Sequence, residues 1–167
     1  YDRSFQTLAR VKEKTPVNDG PKAIQLRIRE TIRKALKAAE IPIRSLSGIG
    51  VGCPGVLALD QGIILEAPNL GWKRVPLQAL LKEWFHCPVV LANDVDAGTY
   101  GEYRFGAGKQ ARTLLGVFPG TGIGGGCVYA GKLLRGKVGS AMEIGHIQIR
   151  ENGRLCGCGK RGCLEAQ

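Results

Sequence analysis

The chain has 167 residues, and its 24 Lys and Arg residues against 14 Asp and Glu residues give a formal net charge of +10. Its apolar share of 44% is that of an ordinary folded domain, which excludes a disordered or collagen-like chain. The sequence contains no run of about 18 apolar residues and no apolar signal segment near its start. We therefore expect a cytoplasmic protein without a membrane span.

The N-terminal half predicts helices that alternate with strands. Residues 5–15 alternate weakly between apolar and polar positions, which predicts a strand whose partners would lie upstream. Asp19-Gly20-Pro21 is typical of a helix start, and the apolar positions that follow recur at helical spacing as far as residue 39. The pattern then predicts a buried strand, a hairpin, a short amphipathic helix and an apolar strand, at 46–53, 56–59 with 63–66, 76–85 and 88–92.

The C-terminal half continues this pattern and adds a segment rich in glycine and cysteine. The expected elements are a helix at 96–103, strands at 113–118 and 127–130, an apolar segment at 146–149, a turn at 151–153 and a helix start at residue 164. Helices that alternate with apolar strands indicate an α/β fold, here with more hairpins than a purely parallel sheet has.

The first predicted helix is strongly basic. It carries Lys and Arg at six positions between residues 22 and 37, and the acidic residues near them are Glu30 and Glu40. Binding of single-stranded nucleic acid needs aromatic side chains between the basic ones, and this helix has none. We interpret the charge as a solvated helix face and expect no nucleic-acid partner.

The segment GTGIGGG at 120–126 contains the pattern G-x-G-x-x-G at Gly120, Gly122 and Gly125. A dinucleotide site needs a helix after this pattern, but a strand is predicted here. A Walker A loop is excluded because no Lys-Ser or Lys-Thr pair follows the glycines. We expect a strand, a glycine turn and a second strand, with backbone N–H groups and the Thr121 hydroxyl facing an anion. A simple flexible hairpin is the alternative.

Asn93 and Asp94 follow an apolar strand, at the position where open α/β sheets place ligand-binding groups. Asp94 is a candidate general base that takes a proton from a hydroxyl group, and Asn93 could orient a polyol through hydrogen bonds. The alternative is a structural role, in which Asp94 or Asp96 caps the following helix.

His146 and three cysteines, Cys156, Cys158 and Cys163, form a candidate metal site. Three thiolates and one imidazole complete a tetrahedral structural zinc site, and the glycines between the cysteines permit a tight backbone. A disulfide would leave one of the three cysteines unpaired. The other cysteines, Cys53, Cys87 and Cys127, lie in or beside apolar strands and are expected to be buried. His86 is expected to cap a helix or to be solvated.

Several motifs in a fixed order resemble the ROK (repressor, open reading frame, kinase) family, and in particular its glucose-phosphorylating members. They are GVGCPG at 50–55, APNLGW at 67–72, LAND at 91–94, YGE at 100–102, GTGIGGG at 120–126, EIGH at 143–146 and CGCGKRGCLE at 156–165. The resemblance implies an actin-like ATPase (ribonuclease H-like) fold with a mixed sheet and helices. It also implies ATP-dependent phosphorylation of glucose or a related hexose at the 6-hydroxyl.

The same resemblance assigns roles to individual residues. Asp94 would be the catalytic base, and Thr121 with Gly122 would meet the phosphates of ATP. The sugar hydroxyls would contact Gly55, Asn69, Asn93, Glu143, His146 and Glu165, and zinc would be held by His146, Cys156, Cys158 and Cys163. The implied cofactors are structural Zn²⁺, ATP and Mg²⁺, the implied partners are a hexose and a nucleotide, and the implied assembly is a homo-oligomer.

The sequence departs from the family pattern in two ways, and both indicate a part of a longer protein. The glycine-rich DxGxT motif, which the family has near its N-terminus, is absent, and so is the adenosine side of the nucleotide site after residue 167. We therefore expect a fragment that is inactive alone, with residues 1–115 in an N-terminal lobe and 116–167 at the start of a second lobe. The alternatives are a sugar-responsive transcriptional repressor and a sugar-binding domain without catalysis.

Overall fold

A computed structural model describes residues 1–137 and 139–167. The chain divides into two compact units, Tyr1–Ala92 and Asn93–Gln167, which we call unit 1 and unit 2. The family resemblance divides a whole kinase into lobes, here at 1–115 and 116–167. This division differs in kind from the two units, and its boundary stays a prediction. Among the described residues, no helix combines the length and the apolar character that a membrane crossing requires.

Unit 1 contains two helices and two small sheets. The helices are α1 (Pro21–Ala38) and α2 (Leu77–Phe85). The strands are β1 (Ile49–Cys53), β2 (Val56–Ala58), β3 (Ile63–Ala67), β4 (Trp72–Val75) and β5 (Val89–Asn93), whose last residue belongs to unit 2. Strand β1 pairs with β5, and β2, β3 and β4 form an antiparallel sheet in that order.

The core of unit 1 is a single cluster of buried apolar side chains. Leu77, Leu81 and Phe85 recur at spacings of four residues, so they lie on one face of α2 and are all buried. Ile24 of α1 and Trp72 of β4 complete this cluster from other elements. Helix α1 begins at Pro21, whose fixed φ suits the first helical position.

Unit 2 begins with α3 (Asp94–Phe105) and continues with β6 (Thr113–Pro119), β7 (Ile123–Tyr129) and β8 (Lys132–Leu133). The three strands form an antiparallel sheet in chain order. The β6–β7 pairing runs from Thr113 opposite Tyr129 to Pro119 opposite Ile123, and so leaves a turn at 120–122. The rest of unit 2 has short 3₁₀ turns at Ile144–His146 and Leu164–Ala166. Two isolated β-bridges, Gln148 with Cys163 and Leu155 with Arg161, connect the backbone between these turns.

Glycines let α3 lie directly on the sheet of unit 2. A Cβ atom on Gly126 would be 2.2 Å from the Oγ1 atom of Thr99, and one on Gly124 would be 2.5 Å from a methyl group of Val95. Thr99 is fully buried there, and its hydroxyl donates a hydrogen bond to the Val95 carbonyl. The glycines therefore set the distance between α3 and β7.

Most predicted elements are confirmed, and the differences have local causes. Residues 5–15 form no strand, because a strand needs a hydrogen-bonded neighbour and none of the described strands pairs with them. Strand β4 was not predicted, since it has only four residues and follows directly on a 3₁₀ turn. The helix start expected at residue 164 is a 3₁₀ turn of three residues.

Candidate active site and metal centre

Asn93 ends β5 and caps the N-terminus of α3. Its Oδ1 atom accepts hydrogen bonds from the backbone N–H groups of Val95 at 2.9 Å and Asp96 at 3.2 Å. The alternative in which Asp94 or Asp96 supplies the cap is therefore wrong, because both lie inside the first helical turn. Capping uses the amide oxygen of Asn93, so its NH₂ group is the part that remains for a ligand.

Asp94 is the first residue of α3, and its side chain is exposed. Its Oδ1 atom accepts a hydrogen bond from the Val95 N–H at 3.0 Å, which orients the carboxylate. The geometry thus presents a fixed proton acceptor to solvent, as a general base requires.

The turn between β6 and β7 is shorter than the sequence predicts. Ile123 already belongs to β7, so Gly124, Gly125 and Gly126 are strand residues rather than part of a loop. A glycine cluster fits a tight turn and a close backbone contact equally well, and here Gly124 and Gly126 serve the contact with α3, while Gly125 faces the Met142 carbonyl. The turn itself consists of Gly120, Thr121 and Gly122, and the Gly120 N–H donates to the Gly122 carbonyl at 2.8 Å.

Glu143 and His146 lie at the two ends of one 3₁₀ turn, in which the His146 N–H donates to the Glu143 carbonyl at 3.0 Å. Two close contacts fix this turn against β7. A Cβ on Gly125 would be 2.3 Å from the Met142 carbonyl oxygen, and one on Gly145 would be 2.1 Å from the Ile123 carbonyl oxygen. Glu143 is exposed and His146 is half-buried, so both side chains are accessible beside β7.

The four residues predicted to bind metal come together. One ligand atom from each of His146, Cys156, Cys158 and Cys163 lies within 4.8 Å of all the others. The Sγ atoms of Cys158 and Cys163 are 3.7 Å apart, and the Cys156 Sγ is 3.6 Å from the His146 Nδ1.

These distances fit a tetrahedral zinc ion. Zn–S bonds of about 2.3 Å and Zn–N bonds of about 2.0 Å place two sulfurs about 3.8 Å apart, and a sulfur and a nitrogen about 3.5 Å apart. Both observed separations agree with these values to about 0.1 Å. The cluster can therefore bind a metal ion.

Two of the three cluster cysteines disfavour the thiolate, whereas the Lys160 N–H lowers the pKa of the third, Cys158. The Cys158 N–H lowers the pKa of Cys156, but the Glu165 carboxylate, burial and the other two thiols together raise it to about 12. Burial likewise raises the pKa of Cys163, and the adjacent Cys158 thiol adds to this. A bound cation reverses this balance, because it deprotonates the thiols that coordinate it.

Glu165 joins the cysteine cluster to the glycine turn. One carboxylate oxygen is 3.0 Å from the Cys156 Sγ and 3.5 Å from the His146 Nδ1, and the other accepts from the Ile123 N–H at 3.4 Å. The Cys156 thiol donates to this carboxylate and is the main cause that lowers the pKa of Glu165, against the effect of burial. Glu165 is therefore held in its ionised form beside the turn.

Unit 2 thus gathers most of the predicted site residues around the start of β7. They are Asn93, Asp94, Thr121, Gly122, Glu143, His146 and Glu165 together with the three cluster cysteines. Gly55 and Asn69 belong to unit 1. Gly55 follows β1 with φ 89°, and a Cβ there would be 2.1 Å from the Glu66 carbonyl oxygen, while Asn69 is exposed in a 3₁₀ turn.

The other residues that the sequence singled out have structural positions. Cys53, Cys87 and Cys127 are buried, as predicted. His86 is exposed and ends α2 in a left-handed conformation, with its N–H bonded to the Lys82 carbonyl. Its predicted capping role is confirmed.

Sequence reasoning missed one ion pair in this unit. The Arg135 Nε is 3.3 Å from the Asp96 Oδ2, between residues 39 positions apart. No local spacing connects two such residues, so no periodicity or motif could have indicated the contact.

The chain is similar to known proteins of one family. A model of the ROK family matches residues 1–167. A glucokinase from Halalkalibacterium halodurans is 42% identical over 157 residues, which are 92% of this chain and 48% of that protein. A xylose repressor from Caldicellulosiruptor bescii is 38% identical over 136 residues, which are 81% of this chain and 34% of the repressor.

A solved structure shares the fold. The crystal structure of a ROK family glucokinase from Streptomyces griseus in complex with glucose and AMPPNP matches with a TM-score of 0.83 and 35% identity, over 98% of this chain and 50% of that one. The fold is therefore that of the actin-like ATPases, and the chain spans about half the length of the glucokinases it matches. Since the family model covers every residue, the chain belongs to the ROK family.

Proposed function

We propose that the whole protein is a hexose kinase, which transfers the γ-phosphoryl group of ATP to the 6-hydroxyl of glucose or a related hexose. The observation that carries this proposal is the arrangement in unit 2. An oriented, exposed Asp94, a glycine turn and a turn with two potential sugar ligands all border β7. The similarity to glucokinases supports the same reaction.

Asp94 is the proposed catalytic base. The Val95 N–H holds one carboxylate oxygen, and the other is open to accept the proton of the sugar hydroxyl. As the hydroxyl O–H bond breaks, its oxygen forms a bond to the γ-phosphorus, and the bond from that phosphorus to the bridging oxygen of ADP breaks. ADP leaves with the electron pair, and Mg²⁺ supplied with the nucleotide neutralises charge on the phosphates.

The proposed sugar ligands offer complementary groups. Glu143 and Glu165 are hydrogen-bond acceptors for hydroxyl groups, and the free NH₂ group of Asn93 is a donor. The Nδ1 atom of His146 faces the cysteines, which leaves Nε2 for the sugar. We also include Gly55 and Asn69 among the sugar-binding residues, on the resemblance of their motifs alone.

The proposed phosphate contacts are made by Thr121 and Gly122. The turn at 120–122 is short, and two of its three residues are glycines, so a phosphate can approach its backbone closely. A Cβ on Gly122 would be 2.5 Å from a carboxylate oxygen of Glu165, so this glycine also leaves room for the neighbouring sugar ligand.

The proposed metal is a structural zinc ion, held by His146, Cys156, Cys158 and Cys163. Zinc would supply no step of the reaction. It would instead cross-link the segment 156–163 to the His146 turn and so fix the position of Glu165, two residues after Cys163.

The test of this function is an ADP-release assay with a panel of hexoses on the whole protein. We expect glucose-dependent turnover, and we expect Asp94→Asn to lower kcat by at least about 100-fold, as is typical for loss of a general base. An Asp94→Asn variant that keeps most of its kcat would remove Asp94 from the reaction.

A transcriptional repressor is the second candidate, because a xylose repressor shares 38% identity with this chain. It would bind sugar without releasing ADP, and sugar would change its affinity for operator DNA. Sugar-dependent DNA binding in the absence of ADP release would favour this candidate over the kinase.

A further inference from the structure

The ion pair between Asp96 and Arg135 joins two parts of unit 2 that carry proposed site residues. Asp96 lies in the first turn of α3, two residues after Asp94. Its backbone N–H is bonded to the Asn93 side chain at 3.2 Å, so its carboxylate is attached to the same capped turn as the proposed base.

Arg135 lies just beyond β8 and is connected to the segment that leads to Glu143. The backbone before it is anchored, because the Leu134 N–H donates to the Cys127 carbonyl at 2.8 Å. Its own carbonyl accepts from the Ala141 N–H at 3.1 Å, and the Met142 carbonyl accepts from the Ile144 N–H at 2.7 Å. The segment that leads to Glu143 is thus bonded, through Ala141, to the residue whose guanidinium reaches α3, and the Met142–Ile144 bond closes the backbone around Glu143 itself.

The ion pair of Asp96 with Arg135 is partly buried. The Asp96 side chain is only 16% exposed, whereas that of Arg135 is 40% exposed. Among the described residues of unit 2, it is the one ion pair that does not involve a histidine. Partial burial reduces solvent screening, so such a pair constrains its partners more than an exposed pair does.

We propose that Asp96 and Arg135 are positioning residues, which hold the Glu143 turn in register with Asn93 and Asp94 at the N-terminus of α3. This inference rests on the proposed hexose site, since Glu143 is a proposed sugar ligand. The pair itself touches neither the sugar nor the nucleotide. It acts by fixing how far the sugar ligands of one segment lie from the base of another.

The test compares Asp96→Asn, Arg135→Gln, the double variant and Arg135→Lys in the whole protein. Hydrogen exchange at residues 141–146 reports how firmly the segment is held, and the KM values for glucose and ATP report the consequence for substrate binding. Each single variant should speed exchange and raise the glucose KM about tenfold, within the range of coupling energies between contacting residues. The KM for ATP should change by less than about twofold.

The double variant should show no larger effect than either single one, because all three remove the same contact. Arg135→Lys keeps the charge and should recover part of the effect. The control is Glu13→Gln in unit 1, which breaks an ion pair of the same 3.3 Å length to Arg27 and a second one to Lys34. It should change neither exchange at 141–146 nor the glucose KM.

The outcomes separate this proposal from the proposed function. Unchanged exchange at 141–146 in both single variants overturns the positioning role, whatever the enzyme does. A lower melting temperature with an unchanged glucose KM also overturns it, since the pair would then only stabilise the fold. Faster exchange in a protein that releases no ADP with any hexose supports the positioning of the segment and refutes the kinase.

Discussion

Each of the two units of this chain is stabilised internally in its own way. The core of unit 1 contains twelve buried apolar residues, contributed by both helices and by several strands. The buried apolar side chains that the structure describes in unit 2 are Cys127, Val128, Cys156 and Cys163. Unit 2 depends instead on close backbone contacts at glycines and on the Cys/His cluster.

This difference matches the positions of the proposed functional residues. Apolar burial is non-directional and tolerates small rearrangements, whereas a metal centre and a helix packed on glycines allow few alternative geometries. The proposed base, phosphate turn and most sugar ligands belong to the unit with the more directional constraints. We therefore expect the stability of unit 2 to depend on its Cys/His cluster and its glycine contacts, as the stability of unit 1 depends on its apolar core.

Metal removal should have the largest effect. Structural zinc contributes about 10–16 kcal/mol to the folding of small zinc peptides, more than the few buried side chains of unit 2 can replace. Chelation should therefore speed hydrogen exchange across 146–165 and leave the core of unit 1 protected. Elemental analysis should find one zinc ion per chain.

The matched control for a cluster cysteine is a buried cysteine outside the cluster. Cys158→Ala should abolish zinc binding, whereas Cys53→Ala should leave the zinc content unchanged. Protein prepared without chelators that contains no zinc, and whose cluster thiols all titrate freely, would contradict the metal assignment.

Truncation of a core leucine should have the next largest effect, and this effect should be confined to unit 1. Leu81 is fully buried, and replacing such a leucine with alanine costs about 2–5 kcal/mol in free energy of unfolding. Urea unfolding of Leu81→Ala should show this loss at unchanged zinc content. Leu80→Ala, at a partly buried position of the same helix, should cost less. A loss of zinc in Leu81→Ala would show that the two units are not stabilised separately.

Local patterns predicted much of this fold. Helix α1 and the hairpin of β2 and β3 were found because periodicity and turn residues lie next to each other in sequence. The candidate metal cluster was predicted because the spacing of His146 and the three cysteines is itself the chemical signal, and the structure brings these four residues together. The glycines at 124–126 were misread as a loop, since a missing side chain indicates a turn and a packing contact equally well. The ion pair of Asp96 with Arg135 has no local signature at all.

A glycine substitution should test the close packing of unit 2. In Gly126→Ala the new methyl group would be 2.2 Å from the Thr99 Oγ1, and overpacking of this kind costs about 1–3 kcal/mol. Gly101→Ala in α3 is the matched control, because nothing lies within 4 Å of its Cβ. Alanine is the better helix former, so this control should gain about 0.5–1 kcal/mol. Chemical denaturation measures both, and equal signs would contradict the packing role of Gly126.

The smallest expected effect on stability separates the helix cap from the proposed base. Asn93→Ala removes the acceptor for two backbone N–H groups and should cost about 0.5–2 kcal/mol. Asp94→Asn keeps a side-chain oxygen for the Val95 N–H and loses only the charge near the helix N-terminus, so it should cost less than about 1 kcal/mol. Thermal unfolding should therefore rank Asn93→Ala below Asp94→Asn. The reverse order would assign the structural role to Asp94, and any loss of turnover in that variant would then reflect a displaced α3 rather than a missing proton acceptor.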